Sequence, residues 1–167
     1  MSGSGIYLQR TTLNRLPMAN ATETKFGDPV MRLAQTDAWT LLLRPKQPTL
    51  GAMVLVCREP VQAFGDVSAK AFAELRELVA GIETALRQFV AYERINYLML
   101  MMVDPDVHFH VIPRYDGMRS FEGVDFADAG WPGPPALDAA AALDEPTRNA
   151  LLIALRAALA GTPGASA

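Results

Sequence analysis

The 167-residue chain has only two histidines and one cysteine, and it carries no surplus of positive charge. Each shortage excludes something. Fifteen basic against eighteen acidic side chains give a net charge of −3, which leaves no electrostatic footprint for a long nucleic acid and favours a small ligand. A lone cysteine rules out an internal disulfide. Cys57 lies inside the apolar run MVLVC, where a thiol is expected to be buried as a small hydrophobe rather than reactive. That usage fits a cytoplasmic protein. Half the residues are apolar, yet no uncharged apolar run approaches the roughly 20 residues that cross a bilayer, so no membrane partner is expected. The opening MSGSGIYLQR lacks the basic start and apolar stretch of a secretory signal, and residues 1–25 are expected to be poorly ordered.

What is present reads as one domain of alternating strands and helices. Two short strands are predicted at Val30–Ala34 and Trp39–Arg44, separated by the turn-forming QTD. Pro45 and Pro48 punctuate a loop that closes at Gly51, and AMVLVC then has the composition of a buried strand. From Asp66 or Ser68 as N-cap, apolar positions Phe72, Leu75, Val79, Ile82, Leu86 and Phe89 recur at steps of three and four, which predicts a long helix. Its other face carries Glu74, Glu77, Glu83 and Arg87, the last two spaced as a supportive i,i+4 pair. The run NYLMLMMV, Asn96–Val103, predicts a further strand ending at the turn DPD, with Met99, Met101 and Met102 as core filling. Beyond Tyr115 the prolines of GWPGPPA favour an extended surface path anchored by Trp131. The segment DEPTRNALLIALRAALAG then predicts a C-terminal helix, capped by Asp144, with Pro146 in its first turn and Gly161 at its end. Its apolar residues Leu151, Leu152, Leu155 and Leu159 need cover, from this domain or from a second subunit.

Both histidines fall in DVHFHVIPRY, one residue apart. On a strand, alternate side chains share a face, so His108 and His110 project together while Val107, Phe109 and Val111 anchor the other side. Paired imidazoles on a rigid element can divide labour, one as nucleophile or base, the other tuning tautomer and charge. Arg114 continues the polar side, where its guanidinium would suit phosphate oxygens. Two polar residues satisfied on a strand are the bland alternative. Metal binding is another, because Asp106, His108 and His110 stand at alternate positions in a set that zinc or non-haem iron accepts. No third histidine completes that set, and no metal or other cofactor is expected.

HFHVIPRY resembles the end of the histidine triad motif, His-φ-His-φ-His-φ-φ, of the HIT superfamily of nucleotide hydrolases and transferases. The order of elements before it, WTLLLRPKQPTLGAMVLV, the helix from Ser68 and INYLMLMMV, agrees with that family. The resemblance covers residues 26–115, with 116–167 as a C-terminal extension. It implies an α+β fold, an antiparallel sheet packed with one long helix, to which the C-terminal helix read from the residues is added, and a homodimer binding nucleotides or related phosphoesters. It further implies that His108 matches the nucleophile, forming a covalent nucleotidyl-histidine, and His110 the third histidine beside it. Asp106 stands where the family has its first histidine, VDPD replaces a Gly-rich loop, and Arg44 replaces an asparagine that grips ribose. Arg44 and Lys46 beside the proline loop are candidates to supply positive charge to the substrate. The resemblance leaves two functions open, a hydrolase or nucleotidyltransferase and a nucleotide-binding module without turnover.

Overall fold

The runs WTLLL and MVLVC are apolar or β-branched at every position, the pattern of strands covered on both faces. The computed structural model, which describes residues 20–162, buries all ten of these residues. In chain order the elements are α1 (Ala21–Lys25), β1 (Arg32–Gln35), β2 (Trp39–Leu43), β3 (Lys46–Gln47), β4 (Met53–Cys57), α2 (Ala69–Val90), β5 (Arg94–Leu98), β6 (His108–Arg114), β7 (Met118–Phe121), β8 (Val124–Ala127), β9 (Ala141–Ala142) and α3 (Glu145–Ala160). Five strands form an antiparallel sheet in the order β1-β2-β4-β6-β5. The strand pairs β3-β9 and β7-β8 stand apart from it. The fold class is α+β, as the sequence predicts.

Helix α2 covers one face of the sheet. Its N-cap is Ser68, whose hydroxyl accepts from the Ala71 amide. Ile82, Ala85 and Leu86 are fully buried beneath it, and the Trp39 indole donates to the Ala71 carbonyl at 2.8 Å. Phe72, at 38 % exposure, sits at the solvent margin rather than in the core. The predicted Glu83–Arg87 pair is absent among the described residues because tyrosines intervene: Tyr97 donates to the Glu83 carboxylate and Arg87 donates to the Tyr92 hydroxyl. Gly51 closes the proline loop at φ +79°, and a Cβ there would lie 2.9 Å from Leu86 Cδ2. A side chain would therefore collide with α2 as well as strain the turn. Gln47 staples the same loop, its amide donating to the Arg44 and Ala52 carbonyls and accepting from the Ala52 amide.

Helix α3 packs against α2 and β1 of its own chain, which answers the question of its cover: Leu151, Leu152, Leu155 and Leu159 are all buried intramolecularly. Asp144 caps it by accepting from the Thr147 amide, and Gly161 ends it. Among the described residues no helix is long and apolar enough to cross a membrane.

Three further expectations change. Residues 1–19 lie outside the described residues, but Ala21–Lys25, expected to lack order, is a helix with Asn20 as cap and Glu23 closing a capping box. The first strand begins at Arg32, leaving Val30 61 % exposed. Strand β5 ends at Leu98, and the methionine run turns outward, with Met102 90 % and Val103 83 % exposed. Met99 and Met101 are only half-buried against the core edge.

Candidate functional site

Register fixes which side chains share the sheet face opposite α2. Thr40 pairs Val56 and Val56 pairs His108, while Leu42 pairs Val54 and Val54 pairs His110. Laterally paired residues project to the same side, so both imidazoles stand on this second face, as the alternation predicts. Their ring centroids are 5.2 Å apart and nearly perpendicular. The face is not open. Phe26, at the C-terminal end of α1, lies 6.1 Å from the His108 ring and 5.7 Å from that of His110. Under it His108 is fully buried and His110 is 7 % exposed.

The His108 Nδ1 lies 2.8 Å from the main-chain carbonyl of Asp106. A carbonyl only accepts, so Nδ1 carries a proton, and in the neutral ring Nε2 presents a lone pair. That Nε2 is buried with no hydrogen-bond partner, as is the Nδ1 of His110. Burial, the neighbouring His108 and the Arg44 and Lys25 cations push His110 down to about 4, against a smaller upward pull from Asp104. His110 is therefore neutral at pH 7.

The other predicted site residues divide. Asp106 is adjacent, but its carboxylate accepts from the Thr22 amide and hydroxyl at 3.3 and 2.8 Å; it is the carbonyl, not the carboxylate, that orients His108. Arg44 belongs to the same electrostatic neighbourhood. It is half-buried, its Nη1 donates to the Lys46 carbonyl, and its buried Nε has no partner. Burial pulls its guanidinium below the ordinary arginine value, with Asp138 opposing. Lys46 is exposed on β3. Arg114 does not present its fork to a ligand. It is 4 % exposed and grips Asp128 with two donors at 2.6 and 3.1 Å, Asn96 at 2.8 Å and the Gly133 carbonyl at 2.9 Å. Among the described residues no cluster of three His, Cys, Asp or Glu side chains could hold a metal ion; the Asp106 carboxylate is engaged by Thr22.

Sequence reasoning missed Thr22 and Phe26 altogether. The signal was the capping box, Asn20 followed three residues later by Glu23, which marks a helix start inside a segment expected to be disordered.

No family model matches the sequence, and no curated protein does. Solved structures do match. A histidine triad protein from Bradyrhizobium japonicum aligns with a TM-score of 0.67 at 20% identity, covering 84% of this chain and 96% of its own. A histidine triad protein from Sinorhizobium meliloti gives 0.63 at 17% identity, covering 84% and 95%. A hypothetical histidine triad nucleotide-binding protein from Sulfolobus tokodaii gives 0.57 at 15% identity, covering 78% and 83%. The chain has the histidine triad fold. The 84% shared with the first two exceeds the span 26–115, so the likeness reaches past the motif into the C-terminal part.

Proposed function

We propose that the protein is a phosphoester or nucleotidyl hydrolase or transferase in which His108 is the nucleophile. The observation that carries this reading is the bond from His108 Nδ1 to the Asp106 carbonyl, which leaves a partnerless Nε2 lone pair beside a second imidazole. A neutral imidazole held in one tautomer is a competent nucleophile near pH 7. Nε2 attacks phosphorus, a nitrogen–phosphorus bond forms, and the leaving group departs with its electron pair. Water or an acceptor hydroxyl then attacks the same phosphorus, releasing its proton to solvent, breaks that bond and returns the electron pair to Nε2. Splitting transfer into two displacements lowers each barrier. His110, neutral at pH 7 and with an unpartnered Nδ1, stands beside His108, and Arg44 supplies positive charge against the developing phosphoryl oxygens. Nucleotides are the favoured substrate class, as the histidine triad fold and the nucleotide-binding Sulfolobus tokodaii neighbour support. The active form is proposed to be a homodimer.

A second reading has its own support. Phe26 encloses the ring pair and Asp106 stands where the resemblance implies an imidazole, which suits a nucleotide-binding module without turnover. Steady-state hydrolysis of adenylylated and guanylylated compounds separates the two. The enzyme reading expects turnover that His108→Ala reduces by about a thousandfold or more. Thermal stabilisation by nucleotide with no turnover by any variant leaves only the binding module.

A further inference from the structure

The residues over the histidine pair belong to a short element fastened from outside. Helix α1 has five residues, too few to be stable by itself in water, so its contacts with the sheet hold it in place. Those contacts are largely polar. Thr22 donates twice to the Asp106 carboxylate, Lys25 pairs with Asp104 at 2.6 Å, Asn20 donates to the Cys57 carbonyl at 2.8 Å, and the Thr40 hydroxyl donates to the buried Glu23 carboxylate. Arg58 also pairs with Glu23 at 3.8 Å; two of these anchors, Asp104 and Asp106, sit in the turn that leads into β6. Asp106 thus performs two tasks at once: its carboxylate fastens α1 and its carbonyl orients His108.

Closure leaves a cost behind it. With Phe26 in place, His108 Nε2 and His110 Nδ1 are cut off from water without a protein partner, and a buried polar atom left unpaired opposes the state that buries it. Covering and uncovering are therefore closer in free energy than apolar packing alone would make them. Gly27 follows Phe26 at φ +90°, and beyond it the Arg32–Asp28 ion pair at 2.6 Å and buried Met31 fix the chain to the sheet edge. Gly27 therefore marks the boundary between α1 and the chain fixed to the sheet edge.

We propose that Asn20–Phe26 is a lid over the histidine pair, latched through Thr22 and Lys25 to Asp106 and Asp104, with Phe26 as its plug. In the closed state the plug denies a phosphoester access to His108. In the open state the latch carboxylates are released, while the Asp106 carbonyl keeps the imidazole oriented. The regulatory meaning of the lid rests on the reading of His108 as nucleophile; its existence does not.

Carbethoxylation by diethyl pyrocarbonate tests it, because both histidines of the chain lie beneath the lid. Peptide mapping of the intact folded protein gives the rate at His108 and His110, and a thiol reagent on buried Cys57 reports global opening in the same sample. The expected result is slow histidine modification in the wild type, accelerated about tenfold by Thr22→Val, which removes a hydrogen bond to a charged group, and further by Phe26→Ala, with Cys57 still protected. Wild-type histidines that react as fast as free imidazole would overturn the lid, as would rates unmoved by both substitutions. A rise matched at Cys57 in both variants would assign the exposure to unfolding and overturn it equally. Carbethoxylation needs no turnover, so accelerated histidines that never accept a nucleotidyl group would leave the lid standing and remove the catalytic reading.

Discussion

His110 and Arg114 lie four positions apart on β6 and resolve burial in opposite ways. Arg114 offsets its burial with an ion pair to Asp128, whereas His110 gives its charge up. Removing one partner of a buried ion pair leaves an uncompensated charge, so Arg114→Met is expected to cost about 3–5 kcal/mol in denaturant unfolding, with much of the loss recovered when Asp128 is also made apolar. The histidine carries a pH signature. Its folded value of about 4 lies below the ordinary 6.5, so the unfolded chain takes up the proton first as pH falls. The neutral ring's contribution is fully present above pH 6.5 and is lost progressively down to about pH 4, a change of roughly 2–3 kcal/mol. Unfolding midpoints between pH 7 and 4.5 should show this slope, and His110→Leu should flatten it. At this scale the sequence was informative about which face the imidazoles share, since strand alternation depends only on spacing. It was silent on Asp128, because an ion pair between residues fourteen apart across a chain reversal leaves no local pattern. Arg114 therefore read as a phosphate ligand, although its donors are spent on holding the Pro-rich segment.

Elements with strong caps and clean periodicity were legible nearly to the residue. Ser68 and Asp144 cap α2 and α3 as predicted, because a side-chain oxygen followed by apolar positions at helical spacing has few other uses. Asp144→Ala should lower stability by about 1 kcal/mol. Leu155→Ala should cost about 2–5 kcal/mol, a loss that appears in unfolding independent of protein concentration, because α3 is covered by its own chain. Strand β5 was less legible. An apolar run does not say where a strand stops, and Met99–Val103 leaves the sheet into the turn before β6 instead of extending the ladder. Helix α1 was missed for a different reason: five residues held by contacts to distant carboxylates carry almost no periodic signal, and only the capping box gives them away.

At the scale of the whole fold, the described residues form a histidine triad fold in which the sheet face that carries the histidine pair is roofed by α1. The α+β class followed from the order of elements and the motif together. The enclosure did not, because the sequence shows that two imidazoles share a face and cannot show what lies upon it. That enclosure also bears on the proposed activity: if His108 is the nucleophile, its cover should give slow turnover in the wild type and faster turnover when Phe26 is truncated. The most direct measurement is the intact mass of protein mixed with adenylylated and guanylylated compounds and quenched within the first turnover. One nucleotidyl group should add to the wild type, more quickly to Phe26→Ala, and never to His108→Ala. An adduct that persists in His108→Ala, or none in either wild type or Phe26→Ala, would contradict the account.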